Sequence, residues 1–281
     1  MYGARDFPAF PANVMSPLTQ PSYCEIPAGR IAYSRCGTGR PLVVLHPIGV
    51  DRSWWDEYVD SWASSYDVIA IDMRGHGESS TLKSGITLAD HAADVAAVLH
   101  KERVAGAALI GVSMGGMVAQ RVAIQFPELV GAMILCATAG GFPDDVRPRI
   151  RGRGDTSRQG AMPEVIDETI ARWFATDTPR LDLVAKCRAR LAADDWYSWS
   201  ANWEAISRLD NLAELRAVPQ PALVVAGDAD ASIPPAVSQK IADALPAGRF
   251  VTIPGAAHFG AFDMRETIAP VFDAFLTDLA Q

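Results

Sequence analysis

A serine between two glycines is the first feature of the sequence that could carry chemistry. Gly111, Ser113 and Gly115 form a G-x-S-x-G motif, preceded by the apolar run "AALIGV" (107–112) and followed by the helix-like "GGMVAQRVAIQF" (115–126). The motif therefore falls where a strand turns sharply into a helix, which lifts a serine hydroxyl above the sheet and aims free helical N–H groups at it. We interpret Ser113 as a nucleophile; the alternative is a Gly/Ser turn without chemistry.

A serine hydroxyl needs a base, and histidine is the residue type that most often serves. His46, His76 and His258 each follow a predicted strand, at the sheet edge where open α/β sheets place their chemistry. Chain order favours His258, because a hydrolase of this design runs serine, then acid, then histidine. We expect His46 to shape its loop instead. His91 and His100 fall within a helical pattern, and we interpret both as surface residues.

The acid that orients the base should follow a strand between the serine and the histidine. The stretch "ALVVAGDADASIPP" offers Asp228 and Asp230. We prefer Asp230, because Asp228 could instead cap the turn by accepting nearby backbone N–H groups. The alternative for either residue is a solvated loop carboxylate.

Two backbone N–H groups are needed to hold the negative oxygen of a tetrahedral intermediate. Met114, directly after the serine, supplies one candidate donor. The loop "HPIGVD" supplies the other. We choose the N–H of Ile48, because Pro47 has none and Gly49 lets the backbone turn closely.

Alternating strands and helices predict the elements that position these residues. The apolar runs are nearly continuous, as expected of strands buried on both faces of a parallel sheet, and helical patterns lie between them. We predict an α/β fold with a mostly parallel open sheet flanked by helices. The predicted strands are 30–36, 41–46, 67–73, 107–112, 131–137, 221–227 and 248–254, and the clearest helices are 88–101, 115–126 and the C-terminal stripe from Ile268 to Leu279.

The alternation stops over residues 139–217, which contain helical patterns such as "PEVIDETIARWF" (163–174) and no convincing strand. We predict a helical cap there, inserted into a core formed by residues 23–138 and 218–281. Its aromatic residues either line a substrate pocket or pack the cap onto the core. If the substrate carries a carboxylate, a cap arginine would be its natural partner, although the sequence does not indicate which. The aromatic candidates for the pocket are Trp173, Trp196, Tyr197 and Trp203.

Composition narrows the remaining choices. The formal charge of −8 disfavours a nucleic-acid partner, and no apolar run is long enough to span a membrane. The N-terminus lacks the pattern of a signal peptide, and the four cysteines form no C-x-x-C pair, so we expect a reduced, cytoplasmic protein. Residues 1–22 are predicted to form an arm. Its Phe7 and Phe10 could pack on their own domain or on a second subunit of a homo-oligomer.

These motifs together resemble the α/β-hydrolase superfamily. "LVVLHPIG", "DVIAIDMRGHGESS", "LIGVSMGGMVAQ", "LVVAGDADASIPP" and "IPGAAHFGAFD" match its strand-end motifs in order, over residues 24 to 280. The resemblance implies a catalytic triad of Ser113, Asp230 and His258 acting on a small-molecule substrate. It implies acyl transfer to water, with no metal or organic cofactor.

The cap opening also resembles that of 3-oxoadipate enol-lactonases, through Arg158, Gly160 and the closing Arg172-Trp173-Phe174. The N-terminal arm and the "HPIG" loop depart from the usual pattern of those enzymes. We therefore predict hydrolysis of a small ester or lactone through an acyl-enzyme. The alternatives are cleavage of a carbon–carbon bond in a ring-fission diketone, cofactor-free peroxidase-like chemistry, or a non-catalytic receptor. A serine at the strand-to-helix turn disfavours activity as an epoxide hydrolase or dehalogenase, because the covalent step of those enzymes resembles attack by a carboxylate.

Overall fold

Eight strands form one central sheet in the computed structural model, which describes residues 20–155 and 162–279. The strand order is β1-β2-β4-β3-β5-β6-β7-β8. All pairings from β4 across to β8 are parallel, whereas β1 and β2 are antiparallel to their neighbours. The strands are β1 (Ser22–Ile26), β2 (Gly29–Gly37), β3 (Arg40–Leu45), β4 (Tyr66–Ile71), β5 (Ala107–Val112), β6 (Val130–Cys136), β7 (Ala222–Gly227) and β8 (Gly248–Ile253).

The predicted fold class is confirmed, because helices flank a mostly parallel sheet. All seven predicted strands are present to within a residue or two, since both faces of the central strands are covered and their side chains are apolar without interruption. Only β1 was missed. It pairs with β2 alone at the sheet edge, and a single buried residue, Cys24, leaves no apolar run to read.

The helices outside the cap pack around this sheet. α2 and α3 pack against each other, α3 lies along β5 and β6, and α9 covers β7 and β8. The described helices, those of the cap included, are α1 (Asp56–Trp62), α2 (Leu88–Glu102), α3 (Met114–Gln125), α4 (Arg147–Arg151), α5 (Met162–Trp173), α6 (Leu181–Ala192), α7 (Trp196–Ser207), α8 (Leu212–Leu215), α9 (Pro235–Ala244), α10 (Gly260–Asp263) and α11 (Arg265–Asp278).

The long connection between β6 and β7 carries five of these helices, α4 to α8. Its two ends meet, because Gly141 and Asp210 form an isolated bridge and the N–H of Asn211 donates to the carbonyl of Gly140 at 2.7 Å. Helix α8 then packs on α3 and α9 of the core. The segment from 142 to 209 thus leaves the core and returns at one point, and its Leu191 and Trp199 lie against Gly49 in the loop after β3.

Several predictions concern residues outside the described ranges. The N-terminal arm lies there up to Thr19, with Phe7 and Phe10, and so do Arg158 and Gly160 of the cap opening. Among the described helices, none combines the length and the apolar character needed to cross a membrane. The four cysteines are all free thiols.

Candidate active site

Ser113 occupies the turn between β5 and α3 with a backbone conformation that side chains rarely adopt. Its φ of 52° and ψ of −115° lie in a region that favours glycine. The turn is held from below, because the Ser113 N–H donates to the carbonyl of Cys136 at 2.9 Å and the Thr138 hydroxyl donates to the Ser113 carbonyl at 2.6 Å. The strained serine is therefore fixed by hydrogen bonds to β6 and the residues after it.

The two flanking glycines are required by close approaches of the backbone. A Cβ on Gly111 would lie 2.4 Å from the carbonyl carbon of Gly115, and a Cβ on Gly115 would lie 2.2 Å from the carbonyl oxygen of Leu45. Neither contact is tolerated by an alanine. The start of α3 consequently sits directly against the end of β3, which brings Ser113 beside the loop that follows β3.

His258 joins the serine to Asp230 through two hydrogen bonds. Its Nε2 lies 3.0 Å from the Oγ of Ser113, and its Nδ1 lies 2.8 Å from Oδ2 of Asp230. The other carboxylate oxygen of Asp230 accepts the N–H groups of Ser232 and Ile233 at 2.7 and 2.9 Å. Because a carboxylate is acceptor only, the Nδ1 of His258 carries the proton and its Nε2 is free to accept one from the serine.

Asp228, the alternative acid, faces a different partner. Its Oδ1 accepts the N–H of Gly255 at 2.6 Å, and the residue is exposed. Asp228 therefore caps the turn, which is the alternative role considered for it from the sequence. Of the two carboxylates, only Asp230 is brought to His258.

The two predicted oxyanion donors lie at the same edge of the sheet. Leu45 pairs with Gly111 across β3 and β5, so the segments carrying Ile48 and Met114 both begin at that edge. Both residues are buried. Gly49 has a φ of +76°, and a Cβ there would lie 2.6 and 2.8 Å from side-chain atoms of Leu191 and Trp199. The loop is thus covered by the cap.

The other histidines have structural contacts. The Nδ1–H of His46 donates to the carbonyl of Pro47 at 2.7 Å, and its Nε2 accepts the N–H of Met73 at 3.0 Å, so this ring ties two loops together. Burial lowers the pKa of His46 to about 4 and holds the pKa of His76, whose ring lies 5.0 Å from it, well below its ordinary value. Among the hydrogen bonds of the described residues, none joins either ring to Ser113.

The prediction that His91 is a surface residue was wrong. Its side chain is 1% exposed, and its Nε2–H donates to the amide oxygen of Asn202 in the cap at 2.7 Å. Burial lowers its pKa to about 4. The partner lies more than a hundred residues away, so no local helical pattern could reveal it. His100 is exposed, as predicted.

A cavity of about 240 Å³ opens beside the serine and His258, between the core and the cap. Trp203 lines it, whereas Trp173 is stacked on Phe259 with 4.6 Å between ring centroids. Trp196 and Tyr197 do not line it: the first is buried elsewhere and the second is 46% exposed. Larger cavities of about 550 and 870 Å³ lie elsewhere and include neither catalytic candidate.

Sequence reasoning missed most of the cavity wall. The apolar side comes from the start of the cap and from the loop before α9, and the basic stretch "RPRIRGRG" (147–154) contributes two arginines. That stretch is visible as a run of positive charge, but nothing in its spacing says which arginine faces inward. Within the described residues, no group of His, Cys, Asp and Glu side chains is arranged to hold a metal ion. The lining residues missed include Phe142, Val146, Arg149, Ile150, Arg153 and Lys240.

Comparisons with known proteins agree with this architecture. A family model described as "Alpha/beta hydrolase family" matches residues 42–271. A putative non-heme bromoperoxidase, BpoC, from Mycobacterium tuberculosis is 30% identical over 259 residues, covering 85% of this chain and 94% of the relative. The 3-oxoadipate enol-lactonase 2 of Acinetobacter baylyi is 28% identical over 193 residues, covering 67% of this chain and 71% of the relative. The crystal structure of an enol-lactonase from Burkholderia xenovorans superposes with a TM-score of 0.84 at 25% identity, covering 91% of this chain and all of that one.

Proposed function

The chain belongs to the alpha/beta hydrolase family, and we propose that it is a serine hydrolase that cleaves a small carboxylic ester or lactone through an acyl-enzyme. The observation that carries this proposal is the chain of hydrogen bonds from Ser113 through His258 to Asp230, at 3.0 and 2.8 Å. A hydroxyl, an imidazole and a buried carboxylate in that order form the constellation that activates a serine.

In the first half of the reaction, Ser113 Oγ attacks the carbonyl carbon while His258 Nε2 takes its proton. Asp230 keeps the imidazole oriented and stabilises the imidazolium that forms. The N–H groups of Ile48 and Met114 receive the negative oxygen. Such a donor is worth about 2.7 to 4 kcal/mol in the transition state. When the tetrahedral intermediate collapses, the carbon–oxygen bond to the leaving group breaks and the imidazolium protonates the alcohol.

In the second half, a water molecule replaces the alcohol. His258 takes a proton from this water as its oxygen attacks the acyl carbon, and returns the proton to Ser113 Oγ as the acid leaves. For a lactone, alcohol and acid remain parts of one product. The sum is one water consumed per ester bond, with no electron transferred.

The cavity supports a small acyl group. Its volume of about 240 Å³ lies below the range of about 300 to 1,000 Å³ that drug-sized ligands fill. Of the four cap aromatics predicted to form a pocket, we assign the role of pocket wall to Trp203. Ester and lactone substrates are further supported by the similar proteins, which include one named as a 3-oxoadipate enol-lactonase and one named as an enol-lactonase.

The relative named as a putative bromoperoxidase favours a second candidate activity on the same intermediate. Hydrogen peroxide in place of water would attack the acyl-enzyme, giving a peracid and free Ser113. The peracid would then oxidise halide in solution. Halide oxidation that needs both a carboxylic ester and hydrogen peroxide, and that disappears in Ser113→Ala, would support this activity.

The proposed function is tested by turnover of p-nitrophenyl acetate. Wild type should release p-nitrophenol catalytically, and Ser113→Ala should not, because the nucleophile is gone. The substrate panel should also contain 3-oxoadipate enol-lactone and a ring-fission diketone. Cleavage of the diketone alone would replace ester hydrolysis by carbon–carbon hydrolysis. Tight binding of a ligand with negligible turnover of every substrate would contradict an enzyme and indicate a receptor.

A further inference from the structure

Among the residues that the structure describes, the wall of the proposed catalytic cavity carries positive charge without matching negative charge. Arg149, Arg153 and Lys240 line it, and none of the described lining residues is Asp or Glu. Arg149 and Lys240 are exposed at its rim, whereas Arg153 is half-buried. A concave surface lined by one sign of charge raises the local concentration of ligands of the opposite sign.

Arg153 makes no ion pair within residues 20–155 and 162–279. Its guanidinium carbon lies 5.1 Å from the centroid of the Trp203 ring. Burial and the nearby Arg172 and Arg149 lower its pKa to about 10, so it remains a cation at neutral pH. The carboxylate of Asp230, also nearby, is already engaged by His258 and two backbone N–H groups. A charge partly removed from water without a partner costs free energy, which an anionic ligand would offset.

Trp203 forms the part of the wall beside Arg153. Its side chain is 4% exposed and lines the cavity, and its indole N–H is buried with no acceptor among the described residues. Because this N–H has almost no exposed surface, Trp203 offers the face of its ring to Arg153 rather than a donor to a ligand.

Arg153 and Trp203 are held in place by the contact between a short helical turn, Gly152–Gly154, and α7. The indole N–H of Trp199 donates to the carbonyl of Arg153 at 3.2 Å. Gly154 packs so closely that a Cβ there would lie 2.8 Å from the Cβ of Trp203. The backbone of Arg153 is therefore fixed before a ligand arrives.

We propose that the acyl substrate carries a carboxylate, and that Arg153, held against the ring of Trp203, binds it while the ester carbonyl lies at Ser113. A guanidinium fork and a carboxylate match in shape and can form two parallel hydrogen bonds. The substrate class is then half-esters of short dicarboxylic acids, or lactones bearing a carboxylate. This assignment rests on the proposed hydrolase function and adds the recognition group.

The test compares two substrates of nearly equal shape that differ in charge: ethyl hydrogen succinate and its amide counterpart, ethyl succinamate. Ethanol release gives kcat/KM for each. We expect wild type to favour the anionic ester by about 30-fold, and Arg153→Met to lose this preference, chiefly through KM, because hydrogen bonds to charged groups contribute about 1.5 to 3 kcal/mol.

Arg151→Met is the matched control. Arg151 lies two residues away and does not line the cavity, and its guanidinium pairs with Glu204 at 2.5 Å. Its removal should leave the ratio unchanged. Lys240→Met, at the exposed rim, should reduce it only a few-fold.

The outcomes separate the two proposals. If wild type hydrolyses p-nitrophenyl acetate but does not favour the succinate half-ester, the carboxylate assignment is overturned and the hydrolase function stands. If no ester is hydrolysed, the hydrolase function itself fails. The wild-type comparison needs no variant, so poor folding of Arg153→Met cannot rescue the assignment. If Arg153→Met folds poorly, Arg153→Lys serves instead. It keeps the positive charge but loses the guanidinium, and it should retain part of the preference for the anionic ester.

Discussion

Asp228 and Asp230 are two residues apart on one loop and differ in what they touch. Asp230 is 3% exposed and contacts His258, whereas Asp228 is exposed and caps the turn at Gly255. In the proposed mechanism, removing the negative charge at 230 takes away the hydrogen-bond partner that orients the imidazole and stabilises the imidazolium formed during the reaction. Removing it at 228 affects only a surface turn.

We therefore expect Asp230→Asn to reduce kcat/KM for p-nitrophenyl acetate by about 10⁴-fold, the order seen when an orienting aspartate becomes an amide. Asp228→Asn is the matched substitution on the same loop, and its activity should remain within about threefold of wild type, as for surface changes away from special features. Equal losses in the two variants would contradict the assignment of Asp230.

The strand-to-helix turn between β5 and α3 stores strain at Ser113. Its φ of 52° and ψ of −115° would cost a non-glycine residue about 1 to 3 kcal/mol. Three features hold this conformation: the hydrogen bond to Cys136, the hydrogen bond to Thr138, and the packing of Gly115 against Leu45 at the end of β3. Within this turn, the strain lies at the residue that we propose as the nucleophile.

Relief of this strain should be measurable in denaturant unfolding. Ser113→Gly should have a free energy of unfolding about 1 kcal/mol higher than Ser113→Ala, although both lack the hydroxyl. Gly152 provides the opposite control, because its φ of −59° is helical and nothing lies within 4 Å of a Cβ there. Gly152→Ala should therefore stabilise the protein. A Ser113→Ala variant as stable as Ser113→Gly would show that the turn is unstrained.

The cap and the core are joined beside the residues that we propose as catalytic. The N–H of Phe259, next to His258, donates to the carbonyl of Trp173 at the end of α5 at 2.8 Å. On another side, His91 of α2 donates to Asn202 of α7. The cap thus fixes the loop of the proposed base as well as covering the cavity.

The buried His91 makes this junction sensitive to acid. Its pKa is about 4 in the folded protein, below the unfolded value of 6.5, so the unfolded state binds more protons between these values. Its contribution to stability is complete above pH 6.5 and is lost as the pH falls towards 4, by about 3 kcal/mol. Urea unfolding from pH 7 to pH 4 should show a shallower decline in His91→Gln than in wild type. His100→Gln, at an exposed site, should follow wild type, and identical slopes in all three would refute this role.

The sequence predicts the sheet well because buried parallel strands must be apolar on both faces, as β5 and β7 are. It predicts the order of Ser113, Asp230 and His258, because each follows a strand at the same edge. It misses β1 and the burial of His91, because both depend on neighbours distant in the chain. It could not single out Arg153 either, since the docking of the cap decides which of several arginines faces the cavity.

The most direct test of the account is to trap the acyl group on the enzyme. Wild type is mixed with p-nitrophenyl acetate, quenched with acid within the first turnover, digested and analysed by mass spectrometry. The account predicts an acetyl group on the peptide that contains Ser113, formed as fast as the first p-nitrophenol is released, and absent from Ser113→Ala. Acetylation of another residue at that rate, or undiminished turnover by Ser113→Ala, would contradict it.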